Sequence, residues 1–315
     1  MPSYSLIGYP ISHSLAPSLH NACFDLEGSE SRYELWSTSR LNERVLHWLR
    51  SDVCGGSAVT MPLKAAIIPH LDEIMAESKL TGAVNTIVKV GPRLVGTNTD
   101  YLGILASLQA ALGSRSVQRS PAAVIGGGAT TRSAILALHR LGLGPIYLVN
   151  RDEGEVRGTI EWFAGTALQL DLVHLRNTQD VDRQCAEGPS IVVGAIPAIL
   201  PQTPAERQVY ATATHLFTLP SSSSRIFLDM AYYPRPTPLT QIARGLGWST
   251  VDGMEAMIEQ GLAQQRMWRL GDASVEAGTR RGVLSEETEK EVRRRMAVAP
   301  DVKTEGVEVD RADET

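Results

Sequence analysis

A strand, a glycine turn and a helix in immediate succession constrain this chain more than any other stretch. Residues 122–125 (AAVI) form an unbroken apolar run, Gly126-Gly127-Gly128 follows without a spacer, and Ile135, Leu138 and Leu141 then mark a helix face. A second apolar run, residues 145–149, ends at Asn150-Arg151-Asp152. The whole fits in roughly 30 residues, the length of a dinucleotide-binding βαβ unit. In such a unit the glycines allow a tight turn and let backbone N–H groups approach a pyrophosphate at the helix N-terminus. Gly126, Gly128, Ala129 and Thr130 are the candidate contacts. The third position of the usual glycine pattern is Thr131, so spacing alone leaves open a glycine-rich turn that holds no ligand. At the next strand end, Arg151 suits a ribose 2′-phosphate and Asp152 a free 2′-hydroxyl, with Asn150 beside both. The arginine tilts the reading slightly toward NADP(H), and the aspartate keeps NAD(H) open.

Strand-like and helix-like segments alternate along the rest of the chain. Apolar runs at residues 4–8, 33–36, 56–60 and 84–90 read as strands. A helix face set by Leu15, Leu19, Cys23 and Leu26, and a helix at 42–50, lie between them. Further strands are expected at 170–175, 190–194 and 226–230. This order predicts an α/β fold with mainly parallel sheets, because parallel neighbours need a crossover. With 315 residues there is enough chain for two cores. The expected division is an α/β domain over residues 1–103, completed by helices within 238–270, and a Rossmann-type nucleotide domain over 104–237. The helix at 253–270 is expected to fold back toward the first domain. Residues 271–315 read as an extension, with one charged helix at 286–296 taken as a solvated face and an acidic tail taken as disordered.

Charge excludes some functions. Thirty Lys and Arg stand against 35 Asp and Glu, a net charge of −5, and residues 301–315 alone hold six acids against two bases. The remaining chain is nearly neutral, without the clustered cations that displace counterions from nucleic acid. No apolar run is long enough to span a bilayer, and the N-terminus lacks a basic segment followed by a long apolar stretch. Cys23, Cys54 and Cys185 are odd in number and widely spaced, which supports neither a disulfide framework nor a zinc site. The expectation is a cytoplasmic protein, monomer or homodimer, with no metal, nucleic-acid or membrane partner.

Several polar residues carry both a chemical and a plain reading. Ser12 and Ser14 flank His13 in PISHSLAP; hydroxyls at alternate positions can face one way and hold a small anion, or simply cap the next helix. Lys64, in TMPLK after an apolar strand, is a candidate proton donor or a solvated charge. Asp100 in TNTD precedes a helix and suits an N-cap, and Asn85 interrupts an apolar run where a buried amide needs partners.

Taken in order and spacing, PISHSLAP, AVTMPLK, GAVNTI, GTNTD, the glycine turn, LDMAYYPRPTPL and DGMEAMIEQG resemble the shikimate dehydrogenase family, including its quinate/shikimate members. The resemblance covers about residues 4–270. It implies reversible, NAD(P)-dependent interconversion of 3-dehydroshikimate and shikimate, with quinate as a possible further substrate, in a cleft between two α/β domains. By motif, Ser12 and Ser14 would hold the substrate carboxylate, and Thr60, Asn85 and Gln260 would bind ring hydroxyls. Lys64 and Asp100 would be the catalytic pair. Tyr232, in the Asp-x-x-Tyr-x-Pro pattern begun by Asp229, would line the cleft, and Gly253 would meet the nicotinamide end of the cofactor. The chain departs from the family pattern at Gly194-Ala195-Ile196-Pro197, at Gln265 where an aromatic is usual, and at Asp152. The wording around the glycine turn is similar to fungal relatives, some of which regulate the quinate pathway. A catalytically weak metabolite sensor is therefore the alternative reading.

Overall fold

In a computed structural model, which describes residues 1–221, 225–299 and 306–309, the chain divides into two compact units. One comprises Met1–Thr99 with Ile258–Thr315, the other Asp100–Met257. Among the described residues no helix is long and apolar enough to cross a membrane.

The first unit opens with β1 (Ser3–Gly8), α1 (Ala16–Leu26), β2 (Arg32–Ser37), α2 (Glu43–Arg50) and β3 (Cys54–Val59). A single 3₁₀ turn, Ile68–His70, leads to β4 (Glu73–Ile74), α3 (Ala76–Thr81), β5 (Thr86–Val90) and β6 (Arg93–Thr97). Asn42 caps α2 by accepting from the Val45 N–H, and Gly82 ends α3 in the left-handed conformation. The sheet is mixed. β1 pairs parallel with β2 and β3, whereas β5 runs antiparallel to both β3 and β6. The expectation of a mainly parallel sheet misses this hairpin, which turns through Gly91 (φ +61°) and Pro92. The reversal matters, because it brings the start of β5 to the same edge as the carboxyl ends of β1, β3 and β6.

The second unit comprises α4 (Asp100–Leu112), β7 (Ala122–Ile125), α5 (Ala129–Arg140), β8 (Ile146–Val149), α6 (Glu153–Ala164) and β9 (Leu172–Leu175). It continues with α7 (Thr178–Gln184), β10 (Ile191–Gly194), α8 (Pro204–Thr218), β11 (Ile226–Asp229), α9 (Pro238–Gly245) and β12 (Ser249–Val251). All six strands are parallel, in the order β12-β11-β10-β7-β8-β9. The order in which strands are added reverses at β7 and β10, the topological switch point of a Rossmann-type sheet. β7, β8, β10 and β11 are buried throughout, which explains why they read as continuous apolar runs.

Helix α10 (Gly253–Leu270) leads into α11 (Val275–Thr279), α12 (Glu286–Ala297) and β13 (Val307–Glu308). Two boundaries differ from expectation. α9 belongs to the second unit because it packs on β11 and β12, and residues after 270 belong to the first. Thr288, Val292 and Met296 lie four residues apart, so α12 turns one buried face to α1 while its other faces stay charged. Arg266 bonds Glu289 and the Gly278 carbonyl, and Arg269 pairs with Glu27 at 2.8 Å. β13 extends the sheet alongside β2, and Val309 enters the core beside Trp36, Val45 and Leu49. The expected disorder of the acidic tail therefore does not hold for residues 306–309; its other residues lie outside the described ones. Met296→Ala is expected to destabilise the first unit by about 2–3 kcal/mol in urea unfolding, the cost of a buried cavity; a solvated helix would lose less than about 0.5 kcal/mol.

Candidate active site

The functional candidates of the first unit collect at the carboxyl edge of its sheet. The Tyr9 N–H donates to the Met61 carbonyl (2.9 Å) and Thr60 N–H to the Ile7 carbonyl (2.9 Å), lacing the loops after β1 and β3 together. A Cβ on Gly8 would stand 2.4 Å from Thr60 Cγ2 and 2.7 Å from the Met61 oxygen, so only glycine permits that approach. Lys64, half-buried, follows in the same loop, and its carbonyl accepts from the Val84 N–H at 2.8 Å. Ser12 and Ser14 behave differently from the strand-like alternation expected of them. Residues 11–14 close a turn, with the Ser14 N–H donating to the Ile11 carbonyl. Ser12 is exposed, whereas Ser14 is buried and its Oγ accepts from the Ala16 N–H at 3.2 Å. Ser14 is not the N-cap of α1, which is Leu15, but lies one residue before it and takes the first helical N–H.

Asn85 is the centre of this edge. Its main chain joins both neighbours, with the Val59 N–H donating to its carbonyl and its own N–H donating to Thr97. Its side-chain oxygen accepts from the Thr99 N–H (2.7 Å) and the Thr86 hydroxyl (2.8 Å). Its amide nitrogen reaches Thr99 Oγ1 (3.0 Å) and Gln260 Oε1 (3.4 Å). A buried amide demands this many partners, and TNTD supplies one of them from a single peptide before Asp100, the first residue of the second unit. Sequence reasoning missed Thr86, Thr99, His20 and Gln264, all buried in the same network. The available signal was Gln264, four residues after Gln260 and so on the same helix face. Burial drives the His20 pKa down to about 3, against the opposing effect of its hydrogen bond with Gln264, so this imidazole is neutral.

In the second unit the glycine turn sits at the switch point, with Asn150 across it. Gly126 leaves β7, and a Cβ there would lie 2.7 Å from the Ala195 oxygen on the neighbouring strand end. A Cβ on Gly127 would overlap Asn150 Nδ2 and Glu155 Oε2, both at 2.1 Å, because these two atoms hydrogen-bond across it at 2.8 Å. Gly128 is exposed with open space around it, and no side chain caps α5 behind it. The first N–H groups of Ala129 and Thr130 are thus at a bare helix N-terminus, a cradle that fits a pyrophosphate. Thr131, the third motif position, is buried with its hydroxyl unpartnered. Asp152 caps α6 by accepting from the Glu155 N–H. Arg151 is exposed and ion-paired at 2.6 Å with Glu206, whose carboxylate also closes the capping box of α8. Those backbone N–H bonds, with Arg151 added, hold the Glu206 carboxyl down to about 2.

Asp229 ends β11 and organises the loop that carries Tyr232. It accepts from Thr237 Oγ1 at 2.5 Å and from the Ala231 N–H at 3.2 Å. Gly253 packs against the same turn, where a Cβ would lie 2.5 Å from the Asp229 oxygen. Burial pushes the Asp229 carboxyl up to about 6 despite these two bonds. A carboxyl raised on folding stabilises the protein most in acid, and that contribution is lost as pH climbs from about 4 to about 6. Asp229→Asn keeps the shape and removes the charge. Its unfolding free energy relative to the unsubstituted protein should therefore rise by on the order of 2–3 kcal/mol across that window; a flat difference would show that Asp229 titrates normally.

Comparison with known proteins bears on both units. Residues 6–87 match the model of the shikimate dehydrogenase substrate binding domain. Among solved structures, the dehydroquinate dehydratase and shikimate dehydrogenase of S. pombe is 31% identical, with a TM-score of 0.72 over 93% of this chain. This chain spans only 53% of that longer polypeptide. Shikimate 5-dehydrogenase from Thermus thermophilus, solved with NADP(H) and shikimate, is 26% identical over 93% of this chain and 99% of its own (TM-score 0.68). The Listeria monocytogenes shikimate 5-dehydrogenase, solved with shikimate and NAD, is 25% identical over 88% and 95% (TM-score 0.70). A likeness that runs through both units, and not only the substrate-binding one, places this chain in the shikimate dehydrogenase family.

Proposed function

We propose that the chain is a nicotinamide-dependent dehydrogenase that interconverts 3-dehydroshikimate and shikimate. The observation that carries this reading is the cluster of buried Asn85 and Thr99 with half-buried Gln260, set at the sheet edge that also presents Thr60, Lys64 and the two serines. Such a cluster offers fixed donors and acceptors to ring hydroxyls, and the serine loop offers hydroxyls to a carboxylate. When bound, the nicotinamide supplies or accepts the hydride at the substrate carbinol carbon. In the reducing direction the ketone oxygen gathers negative charge, and a protonated Lys64 stabilises it and then delivers the proton. Asp100 orients that ammonium group, and Tyr232 and Gly253 line the nicotinamide end. Quinate carries the same carboxylate on a saturated ring with one more hydroxyl, so the same anchors would serve it.

The cofactor reading turns on Glu206. Its carboxylate stays ionised at any working pH and engages the guanidinium that a 2′-phosphate would need. A 2′-phosphate would have to displace one anion from Arg151 and then sit beside it, whereas a free 2′-hydroxyl would not. We therefore favour NAD(H) over the slight NADP(H) preference that Arg151 alone suggests.

Initial rates with shikimate and quinate, each against NAD⁺ and NADP⁺, test the reading. Turnover with shikimate and NAD⁺ is the expected result, and shikimate binding without turnover in any combination would favour the metabolite sensor instead. Lys64→Ala should lower kcat by ~10²-fold or more with substrate Kd little changed; near-normal kcat would remove Lys64 from the chemistry. Glu206→Gln, which keeps a capping side chain, should improve kcat/KM for NADP⁺ relative to NAD⁺ by about fivefold. An unchanged ratio would mean that the pair does not act on the cofactor.

A further inference from the structure

We propose that Gln265, His20 and Gln264 form a directional hydrogen-bond relay that presets the Asn85 and Gln260 amides for ring-hydroxyl recognition. His20 and Gln265 are then positioning residues, an assignment that rests on the function proposed above.

Direction is the core of the argument. Amides and a neutral imidazole can each be turned either way, but backbone groups cannot. Gln265 Nε2 lies 3.0 Å from His20 Nδ1 and 3.4 Å from the His20 carbonyl oxygen. A carbonyl only accepts, so the Gln265 amide presents its NH₂ here and His20 Nδ1 accepts. The one ring proton is therefore on Nε2 and is donated to Gln264 Oε1 at 3.1 Å. Gln264 Nε2 in turn donates to Thr86 Oγ1 (2.9 Å) and faces the Asn85 carbonyl (3.5 Å), a second fixed acceptor. Thr86, having accepted, gives its proton to Asn85 Oδ1 at 2.8 Å. The Thr99 N–H, a fixed donor, meets the same Asn85 oxygen at 2.7 Å. The Asn85 NH₂ is thereby aimed at Thr99 Oγ1 and at Gln260 Oε1. Gln260 must keep its oxygen toward the cluster, which turns its own NH₂ the other way.

Three backbone groups thus polarise one chain of side chains from α1 and α10 out to the sheet edge. Apart from half-buried Gln260, no member exceeds 3% exposure, so water cannot substitute for a missing link. His20 also stacks on Tyr33 at 4.3 Å, which fixes its ring plane. A core that needed only volume here would be filled more cheaply by apolar side chains.

The test cuts the relay at two distant points in the full-length chain and reads shikimate Kd by calorimetry. Gln265→Met keeps the volume and removes the first donor, and Thr86→Val removes the hydroxyl that joins Gln264 to Asn85. Each should raise Kd by about tenfold. Both together should do no worse than about tenfold, because they sever the same chain. NAD(H) affinity should not move, and Thr86→Ser should restore binding if Gln265→Met does not fold. In the unsubstituted protein, ¹⁵N spectra of the His20 ring should show a neutral imidazole protonated on Nε2. A ring protonated on Nδ1, a normal Kd in either variant, or an additive loss of about a hundredfold would overturn the relay. No shikimate binding by the unsubstituted protein would instead overturn the functional reading, and the relay's purpose with it.

Discussion

The bond from the Thr99 N–H to Asn85 Oδ1 is the fixed point on which the substrate edge depends. The main chain of Asn85 already joins the strand end at Val59 to the strand end at Thr97, so its side chain has no freedom to leave. A buried amide left half-satisfied costs more than the same site filled by an apolar group. Every polar neighbour must therefore be placed to suit it. That requirement explains why hydroxyls of Thr86 and Thr99 and the amides of Gln260 and Gln264 converge here rather than a set of leucines.

The sequence makes some parts of this plain and hides others for physical reasons. The glycine turn is legible because backbone approach leaves no alternative residue; at Gly127 the Asn150–Glu155 bridge occupies the space a side chain would take. Helix α10 is legible end to end because no proline or turn-forming cluster interrupts residues 253–270. The β5–β6 hairpin is not, since residues 84–90 read as one strand and nothing local reports the direction of a neighbour. α12 is misread because its many charges conceal a narrow buried stripe, Thr288, Val292 and Met296. The turn at Ser12 and Ser14 is not legible, because alternation describes extended backbone and residues 11–14 close on themselves.

The candidate site divides in the same way. Residues that would touch ligand stand out as polar signatures at motif spacing. Those that hold them do not, because a buried histidine and glutamine on two distant helices look like ordinary surface letters. Gln265 is instructive: in the sequence it registers only as a missing aromatic, while in the fold it is the donor that decides which nitrogen of His20 carries the proton. Glu206 is similar. Its place in a capping box is readable from Thr203 three residues earlier, but its ion pair with Arg151 depends on tertiary packing.

The division of the chain also bears on how it is synthesised. Asp100–Met257 is one continuous stretch, whereas the other unit joins residues from both sides of it. On the ribosome, β1 to β6 emerge before the second unit yet lack Trp268, whose indole N–H donates to the Ile87 carbonyl and whose ring fills the space over Gly56. They also lack Gln260 and Gln264, the partners that complete the Asn85 cluster. The nucleotide-type unit can close as soon as Met257 is clear, but the earlier-made sheet must wait for it. A nascent chain would therefore hold β1 to β6 as an open, partly polar core for the time needed to translate some 160 further residues.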